Sequence, residues 1–191
     1  MTDPVLFLLA VLTILGTPGP TNTLLAASGA LAGVRPSLPL LIGELTGYLI
    51  AIAAIRIALE PVLAAYPVVG TVLKVLVAIY LGWLALRLWM RGGDVTAGRE
   101  AVAVRAVLVT TLLNPKSLIF ALAVLPPTAT PGFWLYATAF AVSVAACGFG
   151  WILVGRVLGA AAGERHARLI PRAASVILAG FAAFILTSAF R

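Results

Sequence analysis

Thr17-Pro18-Gly19-Pro20-Thr21-Asn22 interrupts an apolar run that otherwise extends over residues 5–27. About 20 apolar residues in succession suffice for a helix to cross the hydrocarbon of a bilayer. Each proline removes a backbone donor, and its ring clashes one turn back, so an ordinary helix cannot pass through this stretch. Lipid offers a freed backbone group no water to bond. A helix broken at that depth must therefore be enclosed by protein or line a wet cavity. The stretch is the first candidate for a binding site.

The device recurs in the second half. Val11–Ser28 reads VLTILGTPGPTNTLLAAS and Val107–Val124 reads VLVTTLLNPKSLIFALAV, which sets Thr17-Pro18 opposite Asn114-Pro115. Hydrophobic segments interrupted at matching places of two halves point to the binding site of a secondary transporter. Composition agrees on the compartment. With 62% hydrophobic and 10% charged residues and a mean hydropathy of +1.14, the chain reads as an integral membrane protein and not as a water-soluble globule. Its 13 Lys and Arg against 6 Asp and Glu fall between apolar runs with no interleaved aromatics. They signal topology and offer no face for nucleic acid. Cys147 is the single cysteine, which excludes an internal disulfide or a CxxC redox pair. The N-terminal MTDPVLF lacks the basic region of a cleaved signal peptide, so the first helix is expected to remain in the mature protein.

Apolar runs at about 5–27, 38–60, 68–90, 105–126, 132–154 and 171–190 predict an all-α protein of six transmembrane helices, the first and fourth broken. The connections are 28–37 (Gly29, Gly33, Arg35, Pro36), 61–67, the polar 91–104, the proline-rich 127–131 and 155–170. One transmembrane domain over 1–191 is expected, with a first repeat at about 1–91, a linker at 92–104 and a second repeat at about 105–191. Arg35, Arg87, Arg91, Arg99, Arg105, Arg156, Arg165, Arg168 and Arg172 fall on one side of such a bundle, whereas 61–67 and 127–131 contain no basic residue. This asymmetry predicts cytoplasmic charged loops and periplasmic termini. Each half has an odd number of helices, so a duplication would form a 3+3 inverted repeat. Tyr80-Leu81-Gly82-Trp83 and Leu178-Ala179-Gly180-Phe181 stand at nearly the same offset in the two halves.

Polar residues inside these runs are the candidates for chemistry. A half-helix restarting after Pro20 places Thr21 and Asn22 in its first turn, where unpaired N–H groups and the positive dipole end favour a carboxylate. Lys116 lies about 16 Å along helix 4, near the bilayer centre. An ammonium there costs at least about 2.5 kcal/mol, so it is expected to receive a substrate carboxylate, pair with an acid, or cap carbonyls freed by Pro115. Glu44, the acid clearly within a helix, is suited to a substrate ammonium or to loading and releasing a proton; the plainer alternatives are the interface or a buried base. Tyr48, one turn on, is placed to hydrogen-bond Glu44 or the substrate. Gly43 and Gly47 flank Glu44 in a small-xxx-small pattern that admits a close helix.

Other residues read as structural. Arg56 and Lys74 are expected to snorkel, with Arg56 and Glu60 an i,i+4 pair. Trp89, Trp134, Tyr136 and Trp151 read as interfacial anchors. Gly155xxxGly159 fits packing within one chain or between two, which leaves a homo-oligomer open. His166 has no second His or Cys to make a metal site, no cofactor motif is present, and no nucleophile–base pair in register or CxxC supports an enzyme.

Pro18-Gly19-Pro20 with Asn22, the Gly29…Gly33 linker, and Asn114-Pro115-Lys116 with Phe120 and Leu125-Pro126 give the chain its resemblance to the LysE/RhtB family of bacterial amino-acid exporters. That resemblance implies export of amino acids across the bacterial inner membrane, driven by a proton gradient or the membrane potential. The stretch around Glu44 matches no general signature of that family, so its role rests on physical argument alone. The expected site joins the breaks (Thr17, Pro18, Gly19, Pro20, Thr21, Asn22, Asn114, Pro115, Lys116), holding a carboxylate, to Glu44 and Tyr48, holding an amine, with Glu44 as the proton-coupling group. Alternating access of a small zwitterion follows; the alternatives are an accessory or channel protein, or an exporter of another solute.

Overall fold

The computed structural model describes residues 3–59, 65–91, 102–166 and 169–189. Its elements are α1 (Pro4–Gly16), α2 (Pro20–Ala32), α3 (Val34–Ser37), α4 (Pro39–Ala54), α5 (Pro67–Arg91), α6 (Val104–Leu112), α7 (Pro115–Ile119), α8 (Phe133–His166) and α9 (Leu169–Ser188). Two π-helical turns, Ile55–Leu59 and Phe120–Val124, extend α4 and α7. Four helices are long and apolar enough to cross a membrane, and two bent pairs bring the number to six if each pair is one span. The bends fall where the prolines put them. α1 and α2 meet at 61°, and α6 and the α7 extension at 49°. The spans, numbered 1 to 6, are thus α1 with α2, α3 with α4, α5, α6 with α7, α8, and α9.

Proline and capping side chains set the restarts. Asp3 caps α1 by accepting the amides of Val5 and Leu6 at 2.8 and 3.0 Å, and Pro4, Pro20, Pro39 and Pro115 occupy first-turn positions where a missing N–H costs nothing. Asn114 caps α7 through its side-chain oxygen, which accepts the Lys116 amide at 3.0 Å. The half-helix expected after Pro20 begins on Pro20 itself, with Gly19 as its N-cap.

Two expected loops are helical instead. The segment 28–37 continues α2 to Ala32 and runs into α3, with a break only at Gly33, whose φ of +87° suits glycine. The segment 155–170 continues α8 to His166. The glycines that suggested loops are packing residues. A Cβ at Gly29 would strike the Ile152 backbone, and one at Gly155 or Gly159 would strike the backbone of Ala26 or Ala30. Gly155xxxGly159 therefore joins α8 to α2 within one chain. Gly43 and Gly47 do the same for α4 against α6, where a Cβ would come within 2.9 Å of Val104 O and 3.0 Å of Leu108 O. Glu60, the linker residues Gly92, Gly93, Asp94, Gly98, Arg99 and Glu100, and Arg168 lie outside the described residues, as do the side chains of Arg91, Glu164, Arg165 and His166.

The dominant packing pairs are α5 with α9, α2 with α8, and α4 with α6. Exchanging the halves, span 1 for 4, 2 for 5 and 3 for 6, returns the first pair to itself and turns spans 1 and 5 into spans 4 and 2, but the second pair uses the half of span 1 after its break and the third the half of span 4 before its break. The outer faces are apolar: Val72, Leu76, Ile79, Trp83, Leu86 and Met90 form one exposed stripe along α5.

Inside, the core is split in two. One apolar cluster joins Phe7, Val11 and Leu15 to Tyr48, Phe120, Phe140 and Val144; the other joins Leu24, Leu25, Leu40, Val107, Ile152 and Leu178. Spans 1, 2, 4 and 5 each run from one cluster to the other. The polar residues lie between: Thr17 to Asn22 separate Leu15 from Leu24, Glu44 separates Leu40 from Tyr48, and Asn114 to Ser117 separate Val107 from Phe120.

Candidate functional site at the helix breaks

A broken helix leaves carbonyls at the end of its first half and amides at the start of its second, and the polar layer satisfies the carbonyls with side chains from elsewhere. Asn22 turns back from α2 and donates its amide to Leu15 O at 2.8 Å and Thr17 O at 2.9 Å. Trp151 of α8 donates its indole N–H to the same Leu15 O at 3.3 Å. Lys116 Nζ donates to Thr17 O. The ammonium therefore sits at the carbonyl end of α1. Gly19 makes this possible, since a Cβ there would lie 3.1 Å from both Lys116 Cε and Nζ.

A second set of bonds ties the breaks to each other. Asn114 Nδ2 donates to Thr21 Oγ1 at 3.1 Å, and Thr21 Oγ1 lies 3.1 Å from Thr111 Oγ1. Ser117 Oγ donates to Thr111 O at 3.1 Å, a second donor to a carbonyl at the end of α6 that also accepts the Asn114 amide at 3.1 Å. Thr21, Asn22, Thr111, Asn114, Lys116 and Ser117 are all buried. Thr17 is exposed, and its hydroxyl donates to Thr13 O at 2.8 Å.

Glu44 is 1% exposed and Tyr48 is fully buried, yet Glu44 Oε2 and the Tyr48 hydroxyl have no hydrogen-bond partner among the described residues. The expected bond between them is absent. Gly148 of α8 provides the space for the carboxylate, because any Cβ there would collide with it. Glu44 and Lys116 do not form a hydrogen-bonded pair: the ammonium is turned to Thr17 O and Glu44 Oε2 is left open. The Tyr48 ring sits edge-on to Phe120 and Phe140, with centroids at 5.6 and 5.9 Å.

The sequence candidates are thus gathered into one layer, with three changes. Lys116 does not cap carbonyls freed by Pro115; it reaches across to the carbonyl freed in span 1. Trp151 and Tyr136 are not interfacial anchors. Trp151 serves the first break, and Tyr136 is 9% exposed with its ring edge-on to Phe7. Arg56 does not snorkel. Its Nε donates to Ala121 O at 2.9 Å, Nη1 to Pro126 O at 2.8 Å, and Nη2 to Leu125 O. Thr111 and Ser117 were not singled out by sequence, because hydroxyls are ordinary in apolar helices.

Each break also borders a cavity. One of 450 Å³ touches Asn114 and Pro115 between spans 2, 3 and 4; another of 460 Å³ touches Pro18 between spans 1, 5 and 6. Exchanging the halves relates these cavities, apart from Ile185 of span 6, which also lines the first. Among the described residues, no cluster of His, Cys, Asp and Glu offers a metal site.

Comparison with known proteins supplies the family. An uncharacterized membrane protein of Vibrio cholerae serotype O1 is 28% identical over 131 residues, which cover 65% of this chain and 64% of that protein's length. No solved structure matches the chain. A family model described as LysE type translocator matches residues 12–189 and so takes in both breaks, Glu44 and Lys116. The chain is a multi-pass membrane protein that belongs to the LysE type translocator family.

Proposed function

We propose that this translocator exports amino acids or similar small zwitterions across the bacterial inner membrane by alternating access. The observation that carries the reading is a buried carboxylate and a buried ammonium in one polar layer, neither completed by the other. A buried charge is tolerated when paired, and leaving one open is costly. A zwitterion supplies both missing partners. Its carboxylate takes Lys116 and the first-turn amides of α2, which has no side-chain cap; its ammonium takes Glu44 and Tyr48. The breaks at Thr17 to Pro20 and Asn114-Pro115 keep the backbone from filling this place. Apolar clusters on both sides favour a carrier over a channel, because each must part in turn for a solute to pass.

Glu44 is also the coupling group in this reading. It binds a proton on the return step and gives it up when the substrate ammonium arrives, which makes export an antiport. The charged loops are cytoplasmic and the termini periplasmic, on the basic-residue asymmetry.

The test is uptake of labelled amino acids into inside-out vesicles with and without a proton gradient. Uptake stimulated by the gradient is expected, and Lys116→Ala is expected to lower it by on the order of tenfold to a hundredfold at normal insertion, the value of a bond to a charged group. Glu44→Gln is expected to abolish the response to the gradient. Gradient-driven uptake unchanged in Glu44→Gln removes the antiport role. No uptake of any amino acid by well-inserted protein removes the substrate assignment, and uptake without saturation or counterflow makes it a channel.

A further inference from the structure

We infer that the transported zwitterion carries an uncharged aliphatic side chain. This rests on the assignment of Glu44 and Lys116 to the amine and carboxylate of the substrate, and it follows from what remains once those two are used. The described carboxylate side chains are Asp3, which caps α1, and Glu44. Among the described residues the polar layer holds one buried carboxylate, Glu44, and one buried ammonium, Lys116. A substrate with a basic side chain would bring a further cation with no acid to meet it, and an acidic side chain a further anion with no base. Arg56 is committed to three carbonyls, and Lys74, on the wall of the cavity at Asn114, has an interaction of its own. In a site sealed from water, an unmatched charge is the costliest group a ligand can carry.

The walls beside the breaks extend the argument from charge to polarity. The cavity at Asn114 and Pro115 is otherwise walled by side chains such as Ile55, Val77, Leu112, Leu118 and Leu122, with Lys74 as the other polar member. The cavity at Pro18 has Thr23 and Trp151 as its polar members. Their donors are already used: Asn114 on Thr21, Thr23 on Gly19 O at 2.9 Å, Trp151 on Leu15 O, and Lys74 in an interaction of its own. A side chain leaving a substrate seated between the breaks enters an apolar space whichever cavity it takes. A hydroxyl or amide there would give up its water for nothing in return.

Counterflow of labelled leucine in proteoliposomes, challenged with unlabelled competitors, tests this. Isoleucine, valine and methionine are expected to compete at concentrations similar to leucine, whereas lysine, arginine and glutamate should need on the order of a hundredfold more. Lysine or glutamate competing as well as leucine overturns the charge argument. Serine or threonine competing as well as leucine overturns the aliphatic assignment while leaving the zwitterion site in place. Counterflow of no amino acid in any form overturns both this inference and the function beneath it.

Discussion

Thr17 O is the residue-scale hinge of the site, because two side chains from different halves of the chain converge on it. Asn22 reaches it from five residues away and Lys116 from 99. Either donor alone keeps the carbonyl satisfied; losing both removes the last bond to this part-buried group, at about 1 kcal/mol. Asn22→Ala and Lys116→Met, measured singly and together by unfolding in detergent, are therefore expected to be non-additive by about 1 kcal/mol, the double variant being the less stable. Strict additivity would mean that the two donors do not share this acceptor. The breaks and the two buried charges were legible in the sequence, since prolines and ionised groups have few reasons to lie inside an apolar run. Thr111 and Trp151 were not, because their value comes from partners 90 and 136 residues away.

At the scale of elements, the two π-helical turns show how one side chain ends a helix. Leu125 N donates to Phe120 O at 2.9 Å, in the wider π register, and Pro126 and Pro127 then supply no amides. The carbonyls of Ala121, Leu125 and Pro126 are left over, and Arg56, itself in the π turn that ends α4, takes all three. The planar guanidinium fork suits this arrangement and an ammonium does not. Arg56→Gln is expected to destabilise the protein in detergent by at least about 2 kcal/mol, with Arg56→Lys between it and the parent. Glu60→Gln tests the i,i+4 pair expected from sequence. An effect of Glu60→Gln as large as that of Arg56→Gln would restore that pair as the main role of Arg56. Sequence located the six apolar spans but misread their ends, because glycine has two meanings. Gly29 in a chain read alone suggests a loop, and Gly155xxxGly159 a packing motif; against a second helix all three are places where backbones touch.

At the scale of the molecule, exchanging the halves relates the two breaks and the two cavities, and the polar layer lies between two apolar clusters. The interruptions legible in the sequence mark where the two bends fall. The division of the core did not show in the sequence, since Leu24, Phe120 and Ile152 are equally apolar and only the fold assigns them to one side or the other. Cys147, the single cysteine, is partly buried beside the Tyr48–Phe140 cluster and serves as a native reporter of how well the layer is sealed. Phe140→Ala thins the cluster on the side of the 127–131 link; Ile152→Ala thins the one on the side of the basic loops. Each costs about 2–5 kcal/mol if the cavity does not collapse, so both are compared at temperatures well below unfolding. With a charged, membrane-impermeant thiol reagent, Phe140→Ala is expected to quicken labelling of Cys147 several-fold from the first side alone, and Ile152→Ala from the second side alone. Equal labelling from both sides in either variant would mean that the clusters do not act as separate seals, and a carrier built on their alternate opening would then give way to a continuous pore.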